Sequence, residues 1–126
     1  MSKPLAIFLG ACFLVSSGLI SAAAHAGDAA AGKKVFKKCK ACHYAAKDKN
    51  KTGPHLVNLI GREAGTVEDY KYSKAMKSSG IVWDEYTLTA YLRAPKKYLK
   101  GTKMAFAGLR KDADIANVIA YLKAQP

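Results

Sequence analysis

The sequence predicts a small all-α domain with long loops. Three observations lead there: terminal segments with helical apolar spacing, a third helix bracketed by start and stop signals, and no stretch of period-two alternation. The chain has 126 residues, enough for one domain with one modest core.

Asp28 stands where an N-cap is wanted, ahead of a helix carrying Val35 and Phe36 on one side and Gly32 one turn before Phe36. A glycine at that position lets another helix approach closely. The expected partner is the last segment, where Asp112 or Asp114 opens a helix and Ile115, Val118, Ile119 and Leu122 fall at i, i+3, i+4 and i+7. Between these ends, residues 51–65 are punctuated by Gly and Pro, and Ser73 to Ser79 is a short helical candidate closed by Gly80. Asp84 then caps a third helix, with Trp83 before it and Leu88 at the fourth helical position as a hydrophobic staple. That helix should stop before Pro95, which can itself open another short turn. Loops this long in a small domain usually surround something functional.

Ahead of this domain, Met-Ser-Lys-Pro leads into an apolar run from Leu5 to Ile20 that ends in the small-residue tripeptide Ala24-His25-Ala26. This reads as a secretory signal peptide over 1–26, cleaved after Ala26, with the mature domain over 27–126. The run is too short and too rich in Gly and Ser for a good membrane span, which needs about 20 apolar residues. Reading Leu9-Gly10-Ala11-Cys12 as a lipoprotein box would leave an apolar region of about five residues, short of what a leader uses. The expected location is the bacterial periplasm.

Of the charged residues only Lys3 leaves with the leader, so the formal charge falls from +12 to +11. A field of that sign favours acidic partners, anionic membranes or nucleic acid, and export argues against nucleic acid. Cys12 leaves too, so the mature chain keeps Cys39 and Cys42 alone, which excludes a disulfide-stapled mini-domain.

Cys39-Lys40-Ala41-Cys42-His43 is C-x-x-C-H, the attachment pattern for one haem c and its iron. Two thiols one turn apart can each form a thioether with a porphyrin arm, which sets the next residue, His43, under the iron. A zinc site would need further Cys or His ligands, and the mature chain offers only His55 besides His43. A redox-active C-x-x-C pair would need an αβ setting that is absent. For a second axial ligand two methionines compete. Met104 lies in the loop Lys100-Gly101-Thr102-Lys103-Met104-Ala105-Phe106, and Met76 on the short helical candidate, where methionine more often fills a core. The loop position favours Met104.

Further short motifs follow in order: Lys51-Thr52-Gly53-Pro54, Gly61-Arg62, Tyr72, Trp83-Asp84, Tyr91-Leu92, Pro95-Lys96-Lys97-Tyr98 and Gly101-Thr102-Lys103-Met104. With the Cys39 to His43 motif they make the mature chain resemble class I c-type cytochromes, in particular the bacterial cytochrome c2 and mitochondrial cytochrome c group. The resemblance implies a small fold of crossed N- and C-terminal helices, with Gly32, Phe36, Val118 and Tyr121 at the crossing and loops wrapping one covalent haem. It implies Met104 as the distal ligand and the Pro54 carbonyl as the partner of the non-ligating His43 nitrogen. Arg62, Tyr72, Trp83 and Thr102 match residues that hold the propionates and inner loops, and Tyr91 the phenol near the methionine sulfur. Two departures stand out: Lys100 where a proline is frequent, and Met76 where an asparagine often sits beside the haem. His55 reads as a solvated loop residue.

The resemblance further implies a soluble, monomeric shuttle for single electrons, not an enzyme, working between a cytochrome bc1-type donor and a terminal oxidase, reaction centre or dehydrogenase. Lys38, Lys51, Lys96, Lys97, Lys103, Arg110 and Lys111 would ring the haem edge and meet acidic docking patches in transient contacts. The alternative is a haem enzyme or gas sensor with a displaceable sixth ligand. At high pH, Lys97, Lys100 or Lys103 could replace Met104.

Overall fold

The computed structural model describes residues 26–126, so the expected leader lies, but for Ala26, outside the described residues. Asp28 starts α1, Ala29–Val35, by accepting from the Ala30 and Ala31 amides at 2.8 and 3.2 Å. A 3-10 turn, Phe36–Lys38, continues it. After a long looped stretch come α2 (Lys74–Lys77), α3 (Glu85–Arg93), α4 (Pro95–Tyr98) and α5 (Asp112–Lys123). Among the described residues the only β pairing is an isolated bridge between Glu63 and Val82.

The largest helix–helix contact among the described residues joins α1 to α5. Any side chain at Gly32 would run into the Asn117 backbone and would sit 2.8 Å from the Tyr121 Cβ. The Asp28 amide donates to the Asn117 Oδ1 at 2.8 Å, and the Phe36 and Tyr121 rings meet at 5.3 Å. Ile115, Val118, Ile119 and Leu122 form the buried stripe that the spacing predicts. Burying such a side chain fully contributes about 1.5–3 kcal/mol, so this seam is a large part of the core's stabilisation.

The last helix, α5, opens at Asp112, as expected. Its N-cap is Lys111, which makes no side-chain cap bond, and Asp112 and Asp114 lie in the first turn, where their charge suits the helix dipole. Asp112 pairs across to Arg93 and Glu85 to Lys123, but both pairs are solvent-exposed and contribute little. The third helix follows expectation closely. Asp84 and Thr87 form a capping box, Trp83 and Leu88 are both buried, and Pro95 opens α4.

The stretch between the motif and α2 is ordered by side chains that bond to backbone. Asn50 donates to the Glu68 carbonyl at 3.1 Å and accepts from the His55 amide at 3.0 Å. The Tyr70 hydroxyl donates to the Thr52 carbonyl at 2.7 Å.

Two outcomes follow. Gly32→Ala forces a methyl into the Asn117 backbone and should lower unfolding stability by about 1–3 kcal/mol, read by thermal or denaturant melts. The capping bonds from Thr87 lower the Asp84 pKa below its ordinary 3.8, so its contribution is present above that pH and is lost as pH falls through the folded value. Asp84→Asn keeps an acceptor for the Thr87 amide and should flatten that acid-side loss in pH-dependent melts, whereas Asp84→Ala should lower the melting temperature at neutral pH as well.

Candidate functional site

The 3-10 turn after α1 carries straight into the cysteine motif. The Cys39 amide donates to the Phe36 carbonyl at 2.8 Å, and the Cys42 and His43 amides both donate to the Cys39 carbonyl at 3.0 Å. This tight winding brings Cys39, Cys42 and His43 onto the wall of one deep, mostly apolar cleft. The cysteines are not joined to each other. Burial pushes the Cys39 thiol up, against the opposing pull of Lys38 and with a small further push from Cys42. A redox-active pair needs the reverse, a stabilised thiolate, so that reading loses its chemical basis. Among the described residues no group of three His, Cys, Asp or Glu side chains is placed to hold a metal ion.

His43 is fixed by the bond between its Nδ1 and the Pro54 carbonyl at 2.7 Å. A carbonyl can only accept, so the proton is on Nδ1 and the Nε2 lone pair is available to a metal. Burial lowers the His43 pKa. The Pro54 bond opposes that and the Lys51 charge adds to it, so the imidazole is held in its neutral, ligating form. Gly53 makes room: a Cβ there would stand 2.7 Å from Nδ1 and 2.9 Å from Nε2 of the ring.

Met104, Arg62, Tyr72, Trp83, Tyr91 and Thr102 line the same cleft, as do Lys38 and Lys103. Met104 stands on the loop between α4 and α5, half-buried. The segment is braced through Thr102, whose Oγ1 meets the Tyr91 hydroxyl at 2.8 Å and accepts from the Met104 amide at 3.4 Å. Met76 also lines the cleft but is fixed on α2, its amide donating to the Ser73 hydroxyl at 3.0 Å. Arg62 donates to the Val57 and His55 carbonyls at 2.7 and 3.0 Å. Burial lowers its pKa and the nearby Tyr72 opposes that. Both bonds end on neutral oxygens, which leaves the guanidinium charge for an anion in the cleft.

All seven residues of the expected basic ring are exposed. Two are held in place: the Lys103 ammonium donates to the Lys71 carbonyl at 3.0 Å, and Lys51 donates to the Lys40 carbonyl at 2.6 Å with its charge 4.1 Å from the Tyr44 ring centroid. Lys96 and Lys97 project from α4, and Arg110 and Lys111 precede α5.

His55 departs from expectation. Its side chain is only 15% exposed, its Nε2 lies 3.0 Å from the Asp48 carboxylate, and its Nδ1 accepts from the Val57 amide at 3.3 Å. A loop folded on itself must pair the polar groups it hides, and His55 does this while its carbonyl receives Arg62. Sequence reasoning also gave no role to Gly53 or Tyr70, although both line the cleft. For Gly53 a signal existed in its place just before Pro54.

Paired thiols, a neutral imidazole, a thioether, apolar walls and an arginine that has no carboxylate partner among the described residues fit an iron porphyrin with its carboxylate arms. Gly53→Ala should push the imidazole off the Pro54 carbonyl. Haem content per chain, read from the Soret absorbance of purified protein, should fall, and stability should drop by about 1–3 kcal/mol.

Comparison with known proteins agrees with this chemistry. The cytochrome c family model matches residues 29–126. A cytochrome c2 from Afifella marina is 52% identical over 98 residues, covering 75% of this chain and 79% of the relative. A cytochrome c-550 from Nitrobacter winogradskyi is 50% identical over 97 residues, covering 76% of this chain and 89% of the relative. The solved structure of cytochrome cH from Methylobacterium extorquens superposes with a TM-score of 0.75 at 45% identity, covering 79% of this chain and all of that one. The chain therefore belongs to the cytochrome c family, as an electron-transfer protein of the class I fold built on one covalently attached haem c.

Proposed function

We propose that the chain is an exported, mobile carrier of single electrons whose iron is ligated by His43 and Met104. The observation that carries this reading is that one cleft holds both side chains, each on a segment braced by its own hydrogen bonds. When bound, haem c supplies a one-electron ferric/ferrous couple, and a thioether ligand favours the ferrous side.

The chain's own residues do the rest. Pro54 holds the His43 imidazole in one orientation and tautomer. Tyr91, through Thr102, holds the methionine segment in place. Buried Leu59, Leu88, Leu92 and Val118 keep water from the cleft wall, so the surroundings change little when charge changes. Arg62, in the cleft wall, would supply a positive charge to the anionic arms of the ring. With His43 and Met104 both holding the iron, no position would stay open for a substrate, which would leave outer-sphere transfer without bond chemistry.

The leader over 1–26 would deliver the protein to the periplasm. There, the exposed Lys38, Lys51, Lys96, Lys97, Lys103, Arg110 and Lys111 suit acidic patches on a bc1-type donor and on an oxidase, reaction centre or dehydrogenase as acceptor. Charge complementarity of this kind raises encounter rate and sets orientation while leaving affinity modest, which suits a shuttle that must let go. Among the described residues no helix is long and apolar enough to cross a membrane.

Two measurements test the reading. The ferric protein should show a sulfur-to-iron charge-transfer band that Met104→Ala abolishes and Met76→Ala retains, and it should bind carbon monoxide slowly when reduced. A band lost in Met76→Ala but kept in Met104→Ala would overturn the ligand assignment, and rapid carbon monoxide binding would favour a sensor or enzyme. Reversing charge at Lys96 and Lys97 to Glu should slow reduction by a bacterial bc1 complex about tenfold at low salt and flatten the salt dependence. Unchanged rates would remove α4 from the docking face.

A further inference from the structure

Two ammonium groups gather on the ring of Tyr44, the residue that follows His43. The Lys51 charge lies 4.1 Å from the ring centroid and the Lys47 charge 5.2 Å. Lys51 also donates to the Lys40 carbonyl at 2.6 Å, between the two cysteines, and its own amide closes on the Gly53 carbonyl at 2.9 Å. Its side chain is therefore a strap. It starts on the return that packs Gly53 against the His43 imidazole, crosses the Tyr44 ring and ends on the cysteine turn.

A lysine on a surface ordinarily keeps its rotatable bonds free and carries its charge out into solvent. Lys51 is exposed yet has given up that freedom. A carbonyl takes one of its three N–H groups, and the negative face of an aromatic ring attracts the rest of the charge. Lys47, also exposed, reaches the ring only at the longer distance. For a carrier the distinction matters. Haem c gains and loses one electron with no bond made or broken, so the oxidised protein bears one more positive charge than the reduced one. A cation free to swing away relaxes when that charge appears. A cation held in place keeps whatever Coulomb repulsion water and salt leave unscreened, and so opposes oxidation.

We propose that Tyr44 is a positioning residue: its ring fixes the Lys51 ammonium beside the His43 loop, and this fixed charge stabilises the reduced protein, raising its reduction potential above what a mobile lysine would give. The proposal rests on the reading that His43 ligates the iron. It needs no partner protein, so it stands apart from the docking role of the same lysine.

The purified holoprotein would be equilibrated with small redox mediators that exchange one electron per chain, and the ferrous-to-ferric ratio read from the visible spectrum. At one fixed solution potential and low salt, Lys51→Gln should lower that ratio about two- to threefold. Tyr44→Leu, which changes no charge, should lower it about half as far, and Tyr44→Phe, which keeps the aromatic face, should restore the original ratio. Once Lys51 is replaced by Gln, adding Tyr44→Leu should change nothing further, because the two residues act as one unit. Lys47→Gln removes the same formal charge and should move the ratio less than Lys51→Gln. All these differences should shrink at about 1 M salt. Proton magnetic resonance of the reduced protein gives a reading independent of potential. The Lys51 ε-methylene signals should lie upfield, shifted by the ring, in the original chain and in Tyr44→Phe, and should return to ordinary positions in Tyr44→Leu.

Additive effects of Lys51→Gln and Tyr44→Leu would overturn the proposal. So would a Lys47→Gln effect as large as that of Lys51→Gln, which would leave net charge alone as the cause, or a Tyr44→Phe chain that behaves like Tyr44→Leu. Should Tyr44→Leu lower haem content, the comparison of Lys51→Gln with Lys47→Gln decides by itself. Failure of the ligand reading has a different signature: the unsubstituted protein would lack a six-coordinate, low-spin spectrum before any lysine is changed.

Discussion

The hydrogen bond from His43 Nδ1 to the Pro54 carbonyl, 2.7 Å long, is the joint on which the rest of the site depends. It sets the tautomer, and the tautomer decides which nitrogen can reach a metal. Several local features serve it. The Gly53 amide donates to the Cys42 carbonyl at 2.8 Å, which ties the Pro54 loop back to the cysteine turn. The Lys51 amide closes on the Gly53 carbonyl at 2.9 Å, so the loop is a tight return and the ring packs against a residue without a side chain. A site built on loops is held here as firmly as one on helices because nearly every turn spends its polar groups on a neighbour.

Charge is distributed with the same economy. The exposed cations cover the outside, where solvent and salt screen their repulsion, and the half-buried Arg62 is held by carbonyls in the wall. Its desolvation costs stability in the chain alone, and an anionic partner in the cleft offsets that cost. The same logic accounts for the apolar lining beside it: a flat ring presents a large hydrophobic face that only such walls can remove from water. The cofactor is in this sense a structural member of a small core.

Much of this was legible beforehand where short-range chemistry decides the outcome. Asp28 and Asp84 act as caps, and the apolar stripe of α5 lies against α1. The cysteine motif carried its own spacing rule. What could not be read were features set by contacts between distant segments. His55 looked like a surface loop residue because nothing in its neighbourhood announces that Asp48 and Arg62 will close over it. Asp112 opens α5 as its spacing suggests, but its pairing with Arg93 on another helix could not be read from its neighbourhood. Both Met76 and Met104 reach the cleft, so pattern could rank them only by the kind of segment each occupies.

The crossing of α1 with α5 has a consequence for the order of events in the life of the chain. The Asn117 backbone that receives Gly32 lies near the far end of the sequence, so a chain still being synthesised lacks the surface on which its first helix must dock. Closing so large a loop is entropically late, and folding cannot be completed until the last helix has emerged. Until then the cysteine turn beside α1 remains open to approach. The topology thereby leaves a period in which the two thiols are accessible to covalent chemistry before the walls of the cleft close around them.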